Sequence, residues 1–211
     1  MVSPQSSSPS RAASLTLVGG ELALDFANTS SGRGFPTREE HLHEAHNVVD
    51  WAAHARVLPP EEADWLRERA NNDSELNRRL FADALTLRED IYVLACEIAE
   101  RRPAPPERIE SLARTHARCL AQAKLVPFQG NFIWSWRVRS APVEAVLGPI
   151  SLSALTTLLQ ADLTRVKQCQ GEKCGWMFLD RTKSRSRRWC EMEICGNRSK
   201  QKRHSAKPRS A

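Results

Sequence analysis

Four cysteines near the C-terminus constrain this chain more than any other feature. Cys169, Cys174, Cys190 and Cys195 form a C-x4-C pair, a 15-residue gap and a second C-x4-C pair. Closely spaced thiol pairs joined by a short loop build a tetrahedral S4 site, suited to zinc or an iron–sulfur centre. The segment between them is rich in arginine and poor in apolar residues, so the metal is expected to hold it together. The turn Cys169-Gln-Gly-Glu-Lys-Cys174 carries Gly171 inside it and Gly175 behind it, and Gly196 follows Cys195 in the same way. Tight glycine turns let amide N–H groups point at thiolate sulfur and offset its charge. Trp176, Phe178, Leu179 and Trp189 are placed to cover the site. Four cysteine ligands close the coordination sphere, so the site reads as structural rather than catalytic.

Charge divides at the same place. Residues 169–211 hold 12 Lys+Arg against 4 Asp+Glu, a net charge of +8, whereas residues 1–168 carry a net charge of −2. A basic block on a near-neutral body points to a polyanion partner for the block. Arg181, Lys183, Arg185 and Arg187 alternate with Thr182, Ser184 and Ser186, and Arg188 follows. Guanidinium and hydroxyl donors in such a string suit phosphate oxygens. A helix after Cys195 would carry Arg198, Lys200, Lys202, Arg203, His204, Lys207 and Arg209 around its circumference, with no apolar stripe for docking. Asn197 reads as a backbone-bonding residue at the knuckle, and Arg198 as a partner of phosphate or of Asp180.

Upstream, the pattern is mainly helical. Residues 1–14 are rich in Ser and Pro and read as a disordered tail without a secretory apolar region. Leu22, Leu24 and Phe26 alternate with Ala23 and Asp25 in a hint of a short strand, and a stretch of seven residues also fits a helical turn. Thr37-Arg38-Glu39-Glu40 has the capping-box form and is expected to open a helix carrying Leu42, Ala45, Val49 and Ala52. A short helix over 61–70 follows. The longest apolar stripe runs through Leu76, Leu80, Ala84, Leu87, Ile91, Leu94 and Ile98, predicting a helix over 74–101 that Pro103, Pro105 and Pro106 end. A further helix starts at Glu107, with Ile109, Leu112, His116 and Cys119 on one side. Phe132, Trp134, Trp136 and Val138 then alternate with polar neighbours. They predict a half-buried strand, turned through Gln129-Gly130-Asn131 against Leu125–Phe128. The last body helix covers 143–160, where Gly148-Pro149 is an irregular step.

No run of 18 apolar residues is expected to span a membrane, and paired reduced cysteines fit the cytosol. His41, His43 and His46 read as exposed, His116 as a satisfied core residue, and Cys96 and Cys119 as small buried hydrophobes. The sequence has no nucleophile motif, glycine-rich phosphate loop or paired acid–base constellation.

Two stretches resemble known families. Cys174-Gly-Trp-Met-Phe-Leu-Asp180, Arg187-Arg188-Trp189-Cys190-Glu-Met192 and Cys195-Gly196-Asn197-Arg198-Ser-Lys200 resemble the CGNR zinc finger, and all four metal cysteines match. Gly20-Glu-Leu-Ala-Leu24-Asp25-Phe26-Ala-Asn28-Thr29 resembles the start of the ABATE domain that precedes that finger. The resemblance implies a bacterial transcription regulator with one structural Zn2+. The expected fold is α+β: a disordered tail over 1–14, a mainly helical domain over 15–164 with a small β-hairpin, a four-cysteine finger of hairpin plus helix over 165–205, and a basic tail over 206–211. The expected function is DNA binding through Arg181, Lys183, Arg185, Arg187, Arg188, Arg198, Lys200, Lys202 and Arg203. The body would form a homodimer or sense a small-molecule effector. RNA binding by the same surface, and an enzyme in the body with an accessory finger, are the alternatives. Chelating the metal is expected to unfold the finger while leaving the helical body's circular dichroism largely intact.

Overall fold

The computed structural model describes residues 10–205, with side chains through Lys202. Of the two expected tails, residues 1–9 and 206–211 lie outside the described residues. The part of the N-terminal tail that is described is ordered. Arg11–Ser14 form a 3-10 turn that buries Ala12 completely, and Ser10 Oγ donates to Asp50 at 2.7 Å.

The elements follow in the order α1 (Leu22–Ala27), β1 (Ser30–Ser31), β2 (Glu39–Glu40), α2 (Ala45–His54), α3 (Pro60–Asn71), α4 (Ser74–Ala99) and α5 (Pro106–Leu120). Then come β3 (Lys124–Phe128), β4 (Asn131–Ser135), α6 (Pro142–Gln160), β5 (Val166–Gln168), β6 (Met177–Leu179) and α7 (Asn197–Ser205). The strands form three separate antiparallel pairs, β1–β2, β3–β4 and β5–β6. The architecture is the expected α+β class.

Helix α4 is the axis. Its predicted stripe is the buried one: Leu80, Ala84, Leu87, Ile91 and Leu94 all lie in the core. Asp73 caps it by accepting the Leu76 N–H at 3.0 Å, which satisfies one of the free first-turn donors. Helices α1, α2, α3, α5 and α6 surround it. Helix α6 is long and apolar enough to cross a membrane by composition, but its apolar residues Val143, Val146, Leu147 and Ile150 are buried inside the protein. Its Gly148-Pro149 step has a packing cause. A Cβ at Gly148 would sit 2.4 Å from the Trp136 ring, so only glycine lets that indole lie against the helix. The indole N–H then donates to the Cys119 carbonyl at 2.7 Å.

Three local expectations are corrected. Residues Leu22–Ala27 are helical, because Leu24, Phe26 and Ala27 are all buried and an alternating strand would have exposed one face. Thr37–Glu40 opens no helix. Arg88 of α4 is 2% exposed and holds the Glu40 carboxylate through two guanidinium nitrogens. Glu40 also accepts the N–H groups of His41 and Leu42 at 2.9 Å, so the chain stays extended there and α2 begins at Ala45. The β3–β4 hairpin has the expected register and turn, but most of its residues are exposed rather than half-buried. Trp134 is 39% exposed, and of the expected stripe only Trp136 and Val138, which lie beyond the end of β4, pack on the core. Among the histidines, His41 is buried and bonds to Ser31 Oγ at 2.8 Å, whereas His116 meets Ser151 Oγ at 3.2 Å as a satisfied residue.

The finger does not stand apart. Asn28 at the end of α1 clamps β6 from both sides: its amide donates to the Met177 carbonyl at 2.9 Å and accepts the Met177 N–H at 2.8 Å. Leu179 N–H donates to Gly19 at 2.7 Å and Gly32 N–H to Cys174 at 2.8 Å. Met177, Leu179 and Val166 share a small core with Leu24 and Ala95. Body and finger are therefore expected to unfold as one cooperative unit, against the independent finger anticipated above. Asn28→Ala leaves the buried Met177 N–H and C=O without partners and should destabilise the whole chain by roughly 2 to 4 kcal/mol. Urea unfolding followed by tryptophan fluorescence and by circular dichroism should show a single, earlier transition; two separated transitions in the wild type would contradict the shared core.

Candidate metal centre

Strands β5 and β6 bring the first cysteine pair together. Cys169 follows β5 and Cys174 precedes β6, and the hairpin closes with Cys169 N–H donating to Trp176 at 2.8 Å. The turn between them folds back, with Cys174 N–H donating to Gly171 at 3.1 Å and Lys173 at φ +64°. The second pair comes from the C-terminal side. Cys190 ends the arginine loop, and Cys195 lies in a π-type turn, Met192–Gly196, that leads directly into α7.

The four sulfur atoms lie within 4.8 Å of one another. Cys190 Sγ is 3.6 Å from both Cys174 Sγ and Cys195 Sγ. These separations are far too long for disulfides. A tetrahedron with metal–sulfur bonds of about 2.3 Å has edges of about 3.8 Å, so the spacing fits one zinc ion. Cys169, Cys190 and Cys195 are buried and Cys174 is half-buried. Phe178 is fully buried against them, and Val18, Trp176 and Trp189 complete the cover. Leu179, expected here, turns to the other face of β6 and packs with Leu24.

Two backbone donors serve one sulfur. Gly171 N–H reaches Cys169 Sγ at 3.3 Å and Cys190 N–H reaches it at 3.2 Å. The Cys169 thiol is pushed far down, first by hydrogen bonds from the neighbouring thiols and then by the Cys190 N–H. Such donors favour the thiolate that binds metal. Gly171 is required by close approach: a Cβ there would lie 2.9 Å from both Cβ and Sγ of Cys195 and 3.2 Å from Cys169 Sγ.

The predicted nucleic-acid residues separate into three groups. Arg187 turns inward. Its Nη2 donates to Val18 at 2.8 Å and to the Cys190 carbonyl, its Nε donates to Trp189 at 3.1 Å, and its guanidinium lies over Phe178, 4.2 Å from the ring centre. It is a brace for the metal loop. Arg181, Arg185, Arg188 and Lys202 are exposed but tethered, to Glu21, Asp162, Gln170 and Glu172 respectively. Lys183, Arg198 and Lys200 are exposed. The side chain of Arg203 lies outside the described residues.

Asp180 organises the arginine loop and is fully buried. Its carboxylate accepts from Lys167 Nζ at 2.7 Å, from the Thr182 N–H and hydroxyl at 3.0 and 2.6 Å, and from the Arg187 N–H at 3.0 Å. Burial alone would raise its pKa, but Lys167 and Thr182 outweigh it and hold the group well below the usual carboxylate range. Arg198, anticipated as an Asp180 partner, is displaced from that role by Lys167. Sequence reasoning missed Lys167, because a single lysine before Gln168 carries no spacing signal.

Across from Arg187, burial pushes the Asp25 carboxyl up to about 6, against the N–H groups of Gly19 and Val18 and the Arg187 charge. Gly19 N–H donates to it at 2.7 Å.

A family model described as CGNR zinc finger matches residues 165–208. The ABATE model, described as "Putative stress-induced transcription regulator", matches residues 20–161. No curated protein matches the chain.

Two outcomes follow from this geometry. Gly171→Ala should weaken zinc binding by roughly tenfold to hundredfold, read by competition with a chromophoric chelator; unchanged affinity would remove Gly171 from the site. Asp25 has a folded pKa above its ordinary value of 3.8. The stability it contributes is therefore fully present below about pH 4 and lost as pH rises through about 6. Urea midpoints across that range should fall with rising pH more steeply in the wild type than in Asp25→Asn.

Proposed function

The chain belongs to the ABATE family and ends in a CGNR zinc finger, and we propose that it is a DNA-binding transcription regulator of the cytoplasm. In this reading four thiolates on one zinc ion fix the finger's shape, and the finger presents cations to the phosphate backbone. The observation that carries the proposal is the division among the basic residues. Arg187 is committed to the metal loop, while Lys183, Arg198 and Lys200 stand exposed. Two of the three, Arg198 and Lys200, lie on helix α7, whose sequence has no apolar residue and whose N-terminal side is anchored through Cys195.

Phosphate contact would use the exposed lysines and arginines first. Arg181, Arg185, Arg188 and Lys202 can exchange an exposed partner for a phosphate at little loss, since exposed ion pairs contribute only about 0–1 kcal/mol. Arg187 cannot leave without undoing the brace on Val18 and Cys190. The body would act as the dimerising or ligand-sensing part. A groove of about 380 Å³ between body and finger, lined by Arg11, Lys173, Cys174, Trp176 and Arg198 among others, is where a small effector would touch both. The closed S4 donor set supports a structural rather than hydrolytic role for the metal.

With five or six phosphates neutralised, log affinity for duplex DNA should fall against log salt with a slope of about −5. Replacing Lys183, Arg198 and Lys200 together with Ala should flatten that slope by about 3. Arg187→Ala should leave the slope nearly unchanged and weaken zinc binding instead. A triple variant with the wild-type slope would sink the phosphate contact, and structured RNA competing better than duplex DNA at one salt concentration would transfer the proposal to RNA.

A further inference from the structure

The β3–β4 hairpin exposes large apolar side chains on both faces. Phe132 is 66% exposed, Leu125 55%, Phe128 51%, Ile133 42% and Trp134 39%. Half-exposed, five such side chains offer on the order of 500 Å². The pairing divides that area between two faces, with Leu125, Phe132 and Trp134 on one and Phe128 and Ile133 on the other. Phe132, Ile133 and Trp134 belong to β4, where three successive large apolar side chains stand exposed. A hairpin this short is marginal in water unless something covers it.

The backbone of the hairpin says which edge is open. Gln129 and Gly130 both have positive φ, +47° and +79°, which fits a two-residue type I′ turn. Phe128 and Asn131 flank that turn as directly opposed residues and form its closing hydrogen-bonded pair. Alternation along an antiparallel ladder makes Val126–Ile133 and Lys124–Ser135 hydrogen-bonded pairs as well. Leu125, Pro127, Phe132 and Trp134 therefore turn their backbone groups outward. On the β3 side Pro127 has no N–H to offer, which blunts that edge. On the β4 side Phe132 and Trp134 present N–H and C=O groups that no hydrogen bond takes up among the described residues.

We propose that the β4 edge pairs with β4 of a second copy of this chain, antiparallel about a two-fold axis through Ile133, to give a four-stranded sheet β3-β4-β4-β3. The register follows from the outward groups. Phe132 of one copy faces Trp134 of the other, and each such pair exchanges two N–H···O=C bonds, four in all. Phe132 and Trp134 lie on the same sheet face, so the pairing also joins aromatics across the strands, a favourable combination. Ile133 meets its own copy on the opposite face as a close, non-hydrogen-bonded pair. The contact is isologous and closes at two copies, because Pro127 stops further strand addition at the outer edges. The inference rests on the dimeric form of the regulator proposed above and names the surface that forms it.

The test uses the full zinc-loaded chain in sedimentation equilibrium at micromolar concentration. The wild type should have twice the 23.8 kDa mass of one chain. Ile133→Glu and Ile133→Lys each place like charges across the axis, so each should weaken association by at least tenfold and sediment as a monomer. Their equimolar mixture should recover the dimer, because opposite charges then meet on the axis. Circular dichroism and zinc content matching the wild type would show that both variants fold. A monomeric wild type, species larger than a dimer, dimers that persist in both single variants, or a mixture that stays monomeric would each overturn the proposed sheet. Salt-dependent DNA affinity measured on the same samples separates the two readings. A monomeric wild type that still binds DNA would leave the regulator in place and remove only the sheet.

Discussion

Four sulfur atoms within 4.8 Å of one another cannot all carry charge without a cation between them. Every other feature of the C-terminal segment follows from satisfying that constraint. Zinc balances the thiolates, and Gly171 and Cys190 direct N–H groups at the Cys169 sulfur. Phe178, Trp176 and Trp189 then exclude water. A segment this polar still cannot provide its own apolar floor, so the floor comes from the body. Asn28 holds β6 by both backbone groups of Met177, and Leu24 and Ala95 complete the core beneath it. Metal site and helical body are thereby parts of one packing problem.

The same constraint redistributes the arginines. A basic loop next to a cluster of thiolates has internal uses for its charge, and Arg187 serves them through Val18, Trp189 and Cys190. Asp180 and Lys167 fix the loop around it, since Lys167 Nζ also donates to the Arg185 carbonyl at 2.6 Å. Net charge is therefore a poor guide to which cations face a partner. A buried anion and its ring of donors decide that position by position. A similar arrangement governs the body, where Arg33 and Arg88 clamp Glu89 and Glu40. Arg33 also lies 4.0 Å from the centre of the Tyr92 ring, whose hydroxyl donates to Gly175 in the cysteine turn. Charge pairs that look like surface features in sequence thus reach from the α4 axis to the metal knuckle.

Much of this was legible from sequence, for identifiable reasons. The cysteine spacing gives the ligand set directly, and the 3.6-residue stripe from Leu80 to Leu94 gives α4 and its buried face. Gln129-Gly130 gives the hairpin register. What failed depended on partners distant in sequence. The extended course at Glu40 is set by Arg88, 48 residues away. Helix α1 is set by burial on several sides, which erases the alternation that local patterning relies on. The exposure of β3 and β4 was hidden because apolar alternation looks the same whether a strand faces its own core or a surface.

That last ambiguity bears on how the molecule is organised. The hairpin is rooted by Trp136, whose ring lies against Gly148 and whose N–H is held by Cys119. Helix α6 carries a glycine and a proline in its centre, each unfavourable in a helix interior, and the glycine makes room for that root. A helix that gives up propensity to seat one indole fixes the direction in which the strands beyond it project. The apolar surface they carry is thus presented by a rigid base, at a different part of the chain from the cations of α7. One region of the fold offers apolar strand edge and the other offers exposed positive charge, and only the first is complementary to itself.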